Sequence, residues 1–356
     1  MMFTVSITPS GKTVVVDGET HILEAALNQG VVLPYGCRNG ACGSCKSRVA
    51  SGTIIQDAHQ PSALTPEEAT RGFALLCCAR AASDLTIEAR VVAAVGEIPI
   101  RKMPCRVSSI DRVAPDVVIL RLQLPASERL QYLAGQYIDL LLRDGTRRSY
   151  SMATAPGTAD GLELHIRHLP GGKFTETIFG PAEPPLKVRD ILRFEGPLGT
   201  FFLREDGTRP IVMVASGTGF APIKAIVERV RVLIGSKGFT RPITLYWGGR
   251  RPHDLYLTAL CEIWAREIPG FRYVPVVSDA LPEDGWAGRT GFVHHAAMAD
   301  FPDMSGVEAY VCGAPVVVDA SRRDFVGARG LPPDAFFADA FTTAADAAAA
   351  ADAAAG

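Results

Sequence analysis

The sequence predicts a multidomain chain of mixed α+β and α/β class: a small hairpin-and-helix domain, an antiparallel barrel of short strands, and a doubly wound parallel sheet. Three observations predict it. Thirty-four glycines and 25 prolines among 356 residues mark many turns. Short alternating apolar runs recur between turn signals as far as about residue 202. Beyond Pro210 continuous apolar runs take over, separated by helical stretches. A chain this long fits two or three domains, each with its own core. We divide it at 1–92, 102–205 and 206–342, with an Ala-rich tail over 343–356 expected to be disordered.

In the first domain, Phe3, Val5 and Ile7 alternate with polar residues as on a half-buried strand. Pro9-Ser10-Gly11 turns the chain, and Thr13 to Val16 returns as a second strand. Thr20 is placed to cap a short helix with the face Ile22, Ala25, Ala26 and Leu27, ended by Gly30. After a loop from Pro34 to Lys46, Thr65-Pro66-Glu67-Glu68 reads as a helix start, with Thr65 as cap and Glu68 reaching back. Leu85 and Ile87 alternate again as a strand. Residues 93–102 read as a linker or a first edge strand.

Strand patterns then recur at Val117-Val118-Ile119, Tyr137 to Leu140, Leu162 to Ile166 and Ile191 to Phe194, a spacing that suits an antiparallel barrel. Ile211 to Ala215 is a continuous apolar strand leading to a helix over Pro222 to Leu233. Ile243 to Tyr246 precedes a helix around Tyr256 to Trp264. Tyr273 to Val277 and Ala309-Tyr310-Val311 are further strands, and this alternation predicts a parallel sheet.

Apolar residues make up 47% and charged residues 21%, which is ordinary for a globular protein. The net charge of −2 carries no basic footprint, so no nucleic-acid partner is expected. No apolar run approaches a membrane span, and Met1 to Lys12 lacks a signal-peptide pattern. The expectation is a cytoplasmic monomer with no membrane partner. Glu67-Glu68 is an acidic patch that could dock a protein partner, although exposed charge is the simpler reading.

Eight cysteines stand at 37, 42, 45, 77, 78, 105, 261 and 312. Four of them cluster early and others are scattered through apolar segments, which disfavours a disulfide framework. Cys105, Cys261 and Cys312 read first as small buried hydrophobes. The early run is Cys37-x4-Cys42-x2-Cys45, with Cys77 far along the chain. Two irons sharing two sulfides need four thiolates, and a tight loop can supply three while a distant segment supplies the fourth. Gly36, Gly40, Ala41, Gly43 and Ser44 are small enough to bring backbone N–H groups close to the sulfurs. Zinc is the competing reading, but zinc motifs favour paired short spacings, often with His. The spacing is that of a plant-type 2Fe-2S site. On an extended segment adjacent side chains face opposite ways, so only one of Cys77 and Cys78 would reach the cluster. Leu75-Leu76-Cys77 favours Cys77, and the neighbouring Cys78 leaves the choice open.

Arg148-Ser149-Tyr150-Ser151 follows a strand. Arg can fork onto a pyrophosphate, Tyr can stack on an isoalloxazine ring, and a Ser hydroxyl can bond a flavin nitrogen. The string is weak alone, and an ordinary strand with an exposed Arg would match it equally. Ile166-Arg167-His168-Leu169-Pro170-Gly171-Gly172-Lys173-Phe174-Thr175 adds two glycines and a hydroxyl before a short helix, which suits a second diphosphate contact. Gly196-Pro197-Leu198-Gly199 follows at the barrel end.

Ala215-Ser216-Gly217-Thr218-Gly219-Phe220-Ala221-Pro222 directly follows a buried strand. A Gly-rich turn into a helix N-terminus offers backbone N–H groups and a positive dipole end to phosphate. Later strands end in Tyr246-Trp247-Gly248-Gly249-Arg250 and Val311-Cys312-Gly313-Ala314-Pro315, and such sheets bind ligands at their carboxyl ends. Arg250 or Arg251 could read a 2′-phosphate or an adenine, although two loop arginines more often face solvent.

Together these strings resemble the ferredoxin–NADP reductase superfamily, with a plant-type ferredoxin domain at the N-terminus; the resemblance runs over about residues 3–341. It implies a β-grasp ferredoxin domain, an antiparallel flavin-binding barrel and a nucleotide-binding doubly wound sheet. It implies a 2Fe-2S cluster on Cys37, Cys42, Cys45 and Cys77. It implies FAD, with Arg148 on the pyrophosphate, Tyr150 on the ring and Ser151 near the reactive nitrogen. Arg167, Gly171, Gly172 and Thr175 would complete the FAD contacts. NADH, with NADPH as the other possibility, would lie on Gly217, Thr218, Gly219 and Gly313, with the Cys312 thiol beside the hydride-donating carbon. Ser151 and Cys312 are thus the catalytic candidates, and Phe341 resembles a C-terminal aromatic that stacks on flavin. Hydride transfer between cofactors needs no general base, so His165, His168, His253, His294 and His295 are read as structural or surface residues.

The order of motifs is similar to reductase components of bacterial phenol and aromatic-ring oxygenases, and to the iron–sulfur flavoprotein reductases of deoxysugar biosynthesis. The implied activity is an NAD(P)H:acceptor oxidoreductase whose partner is a terminal oxygenase or another protein electron acceptor. A ferredoxin-like binding module without enzymatic activity would leave the flavin and nucleotide strings as coincidences.

Overall fold

The computed structural model describes residues 1–96 and 98–342, so the Ala-rich tail lies outside the described residues. Two compact units emerge. One takes residues 1–99, 199–201 and the described part of 338–356, and the other takes 100–198 and 202–337. Among the described residues no helix is long and apolar enough to cross a membrane.

The first unit is built on β1 (Phe3–Thr8), β2 (Lys12–Val16), β3 (Lys46–Ser51), β4 (Ile54–Gln56), β5 (Phe73–Leu75), β6 (Ala79–Ala81) and β7 (Leu85–Glu88). The main sheet has the order β2-β1-β7-β3-β5, and β4 pairs with β6 apart from it. The β1–β2 hairpin is antiparallel and β1–β7 is parallel. Val5, Ile7, Val14, Val16, Leu85 and Ile87 alternate inward and are buried, as the period-two pattern requires. Helix α1 (Ile22–Asn28) buries Ile22, Leu23, Ala25 and Ala26. This is the β-grasp arrangement expected of the ferredoxin domain. Thr20 does not cap α1: His21 holds that position, and the Thr20 hydroxyl donates to Asp17 at 3.0 Å. Helix α2 (Pro66–Thr70) has the anticipated capping box, with Glu68 N donating to Thr65 Oγ1 at 3.2 Å and Thr65 N donating to Glu68 Oε2 at 3.0 Å. The same Glu68 oxygen takes Lys46 Nζ at 2.6 Å, so this carboxylate is committed internally.

A helical turn, α3 (Ala93–Gly96), precedes the second unit. Its barrel holds β8 (Arg101–Ala114), β9 (Val117–Gln123), β10 (Tyr137–Leu141), β11 (Arg147–Ser151), β12 (Gly161–Arg167) and β13 (Ile191–Leu198), with α4 (Glu176–Phe179) between the last two. Strand order is β11-β10-β13-β8-β9-β12. An antiparallel bridge between Met152 and Leu164 joins the two ends and closes the barrel. β8 is therefore an interior strand and not an edge. Its inward residues Met103, Cys105 and Val107 pack with Leu120, Ile138, Leu164, Ile166 and Phe194 in the barrel core.

The remaining strands are β14 (Ile211–Ser216), β15 (Ile243–Gly249), β16 (Phe271–Val277), β17 (Arg289–Thr290), β18 (Glu308–Gly313) and β19 (Phe336–Ala340). They lie in the order β17-β16-β15-β14-β18-β19, and the pairs from β17 through β18 are parallel. Ile211 to Ala215 are buried on both faces, which explains their unbroken apolar run. Helix α5 (Phe220–Lys237) starts two residues before Pro222 and ends at Gly238, whose φ of 65° is left-handed. Helices α6 (Thr258–Glu267), α7 (Val293–Asp300) and α8 (Pro315–Arg329) complete the winding. Tyr256 precedes α6 and is not part of it. Strand order reverses between β14 and β18, and such a switch point opens a crevice at the strands' carboxyl ends.

Candidate cofactor sites

The long loop between α1 and β3 carries three of the expected thiolates. Cys42, Cys45 and Cys77 are buried and Cys37 is half-buried. Cys37 N donates to Cys42 Sγ at 3.4 Å, and Cys45 Sγ lies 3.2 Å from Cys77 Sγ. The sulfurs sort into two pairs. Within the first, hydrogen bonding from Cys37 holds the Cys42 thiol down at about 6, while the bond to Cys42, and then burial, push Cys37 up. Within the second, Cys45 and then Cys78 hold Cys77 down at about 3, while the bond to Cys77 and burial push Cys45 up. Three buried sulfurs and a half-buried fourth make a soft donor set that fits a 2Fe-2S cluster.

The loop's glycines are needed where the backbone turns left-handed. Gly40 and Gly43 have φ of 77° and 70°. A Cβ on Gly36 would lie 3.3 Å from Cys42 Sγ, so its absence lets the backbone close on that sulfur. Tyr35 N donates to Thr200 Oγ1 at 2.9 Å, and Thr200 Oγ1 donates to Tyr35 O at 2.9 Å. The C-terminal segment also packs on this loop: Ser44 Oγ donates to Ala338 O, and Asn39 Nδ2 to Thr342 Oγ1, each at 3.5 Å. Phe341 lies in that segment and is half-buried.

Cys77 and Cys78 do not face opposite ways, contrary to the expectation for an extended segment. Leu76 and Cys77 form a turn, closed by Cys78 N donating to Leu75 O at 2.9 Å. Both sulfurs therefore come together, 3.6 Å apart.

On β11, Arg148 and Tyr150 share one face and Ser151 takes the other. Arg147 is taken by Glu195 at 2.9 Å, whereas Arg148 has no acidic partner among the described residues and bonds Arg147 O at 2.7 Å. An arginine without a carboxylate suits a pyrophosphate. Tyr150 tilts against Phe174 at 5.7 Å, and Ser151 is buried. Gly171 N donates to Glu176 Oε1 at 2.8 Å, and Thr175 Oγ1 donates to Leu169 O at 2.8 Å. A Cβ on Gly172 would sit 2.6 Å from Thr175 Oγ1, so these residues form one tight turn before α4.

The glycines after β14 and β18 interlock at the switch point. Gly217 has φ of 53°. A Cβ on Gly219 would lie 2.3 Å from Cys312 O, and one on Gly313 would lie 2.5 Å from Ser216 O. This is a cradle that side chains would fill, and it fits a dinucleotide approaching backbone. Thr218 lies between the two glycines in the same short 3-10 turn, and Cys312 is fully buried at the end of β18.

Several contacts were not foreseen, including those of Arg167, which the resemblance places at FAD. Trp247 stacks on Phe220 at 3.9 Å and donates Nε1–H to Gly217 O at 3.0 Å. Arg167 is held by Asp254 at 2.7 Å and by Asp116 at 2.9 Å, and its guanidinium nitrogen would be 2.9 Å from a Cβ on Gly217. Asp254 also accepts from the amides of Arg250 and Arg251, and Arg251 pairs with Asp284, so Arg251 is not a free surface cation. His165 is buried, with Nε2 2.9 Å from Glu163 and Nδ1 2.8 Å from the Tyr256 hydroxyl. Burial keeps this imidazole below its ordinary range. Glu163 in turn holds Lys224, which also bonds Glu228 and Ala153 O. Only the Trp in Tyr246-Trp247-Gly248 gave a local hint; the rest depend on distant partners.

Three family models match in sequence order. They are a 2Fe-2S iron-sulfur cluster binding domain over residues 5–82, an oxidoreductase FAD-binding domain over 104–203, and an oxidoreductase NAD-binding domain over 213–323. The chain is 42% identical to the CDP-6-deoxy-L-threo-D-glycero-4-hexulose-3-dehydrase reductase of Yersinia pseudotuberculosis, covering 96% of this chain and 99% of that one. It is 36% identical to the reductase component DmpP of a Pseudomonas phenol 2-monooxygenase, covering 97% and 96%. The crystal structure of the Amycolatopsis reductase GcoB superposes with a TM-score of 0.73 at 34% identity, over 96% of this chain and 99% of that one. The chain therefore belongs to the iron–sulfur flavoprotein reductases of the ferredoxin reductase superfamily: it is an NAD(P)H-dependent oxidoreductase with a 2Fe-2S cluster and FAD.

Proposed function

We propose that this chain is the reductase component of a phenol or aromatic-ring oxygenase system, drawing electrons from NADH and delivering them singly to a separate terminal oxygenase. The observation that carries this reading is the presence, in one chain, of the paired sulfurs and of the interlocked glycine cradle at the switch point. Relatives named as reductase components of phenol and terephthalate oxygenases support the partner. Bound FAD supplies the conversion between a two-electron hydride donor and a one-electron cluster.

We assign three modules, 1–92 for the cluster, 102–205 for FAD and 206–342 for the nucleotide. Cys37, Cys42, Cys45 and Cys77 hold the irons. Arg148 binds the pyrophosphate, Tyr150 covers the ring, and Ser151 sits by the reactive nitrogen. Arg167, Gly171, Gly172 and Thr175 shape the flanking phosphate turn. Gly217, Thr218 and Gly219 present backbone to the dinucleotide, Cys312 and Gly313 border the nicotinamide, and Phe341 covers the cofactor from the C-terminal end. NADH is the preferred donor in this reading, with NADPH as the alternative. The net charge of −2 supports the absence of a nucleic-acid partner, and the monomeric, cytoplasmic reading rests on the sequence.

A second reading has a specific observation behind it. The 42% identity over 96% of the chain is to a dehydrase reductase, which favours a sugar dehydrase as the acceptor. One experiment separates the two. The purified holoprotein is titrated anaerobically with NADH, followed by visible absorbance and electron paramagnetic resonance, and then mixed with each candidate acceptor. NADH bleaching of flavin, a reduced-cluster signal and faster oxygenase turnover are expected. Zinc in place of iron and sulfide would remove the whole reading; turnover with the dehydrase alone would select the second.

A further inference from the structure

The turn after β5 places a fifth sulfur beside the four that we assign to the irons. Cys78 Sγ is 3.6 Å from Cys77 Sγ and is buried. Its place is made by Gly40, where a Cβ would lie 2.8 Å from Cys78 Sγ. Gly40 holds φ of 77°, a left-handed conformation that suits a residue without a Cβ. The Cys78 S–H is thereby held against the Cys77 sulfur.

We propose that Cys78 is a positioning residue for the redox reaction, a thiol that donates to the Cys77 sulfur and raises the reduction potential of the cluster held there. This rests on the reading of Cys77 as the fourth ligand. A cysteine side chain carries an S–H group that can donate to a neighbouring sulfur. Adding an electron makes the cluster and its ligands more negative. A donor aimed at a ligand sulfur stabilises that reduced state more than the oxidised one, and a low-dielectric surrounding strengthens the effect. The S–H group is a weak donor, so the effect is modest. Neither the spacing of the cysteines nor the turn alone would place this donor; the missing side chain at Gly40 does.

The test is an anaerobic redox titration of the full-length holoprotein by electron paramagnetic resonance, with iron, sulfide and FAD content measured alongside. In Cys78→Ala the content stays at the wild-type level, and the reduced-to-oxidised ratio at a fixed potential falls about threefold, roughly 28 mV at 59 mV per decade. Cys78→Ser, which keeps a donor, recovers most of that loss. An unchanged ratio in a fully loaded Cys78→Ala protein overturns the tuning role alone. Loss of iron and sulfide from both variants, with FAD retained, overturns the ligand reading beneath it.

Discussion

Gly219 approaches the backbone of Cys312 more closely than a side chain at 219 would allow: a Cβ there would stand 2.3 Å from the Cys312 carbonyl oxygen. The loops after β14 and β18 thereby meet backbone to backbone. Gly313, with φ of 134°, makes the reciprocal approach to Ser216. The crevice of the parallel sheet is lined by main chain because Gly219 and Gly313 leave it so.

Gly219→Ala is therefore expected to cost about 2 kcal/mol of stability through overpacking, and to raise the KM for NADH. Urea unfolding and steady-state ferricyanide reduction measure the two effects. FAD content should hold at the wild-type level. A variant with unaltered stability and KM would show that the loops can part freely.

Cys42→Ser should remove the cluster's absorbance and paramagnetic signal and abolish cytochrome c reduction. NADH-to-ferricyanide activity should persist, because the cluster loop belongs to a different compact unit from the barrel. Loss of both activities together would count against separate flavin and cluster modules.

Glu163 makes stability depend on acid. Burial by itself would raise this carboxyl, but the hydrogen bond with His165 and then the charge of Lys224 hold it down at about 2. Its folded value lies below the ordinary carboxylate value of about 4.3. The stability it contributes is thus present above that value and is lost as pH falls through about 2. Glu163→Gln should flatten the profile of stability against pH between about pH 5 and pH 2, and cost roughly 2 kcal/mol at neutral pH. Urea midpoints across that range test it, and parallel profiles for the two proteins would contradict it.

Arg241 anchors the base of the sheet. It donates to Glu308 at 2.7 Å and to the carbonyls of Arg209 and Arg204, with its side chain only 7% exposed. Arg241→Met should destabilise by about 3 kcal/mol, because Glu308 keeps a buried charge without its cation. Combining it with Glu308→Leu should recover most of that loss in thermal unfolding. A double variant as unstable as the single one would point to packing instead.

Local patterns were legible where neighbours in sequence are neighbours in space. The Thr65–Glu68 capping box spans one helical turn, and the β1–β2 hairpin spans one tight turn, so both could be read directly. Thr20 misled because Asp17, three residues earlier, captures its hydroxyl and leaves the cap to His21. Cys77 and Cys78 misled because the chain turns where an extended segment was assumed. Tyr256 was read into a helix, yet its hydroxyl sits on His165, a partner from a separate strand.

The order of the three cofactor motifs, the thiolate spacing and the change from alternating to continuous apolar runs belong to the sequence itself, since each is carried by residues within a turn or a strand of one another. The pairing of Cys45 with Cys77, the contact of Gly219 with Cys312 and the grip of Asp254 on Arg167 belong to the tertiary structure. Those relationships arise only when sheet order brings distant strand ends side by side, and no local preference encodes that order.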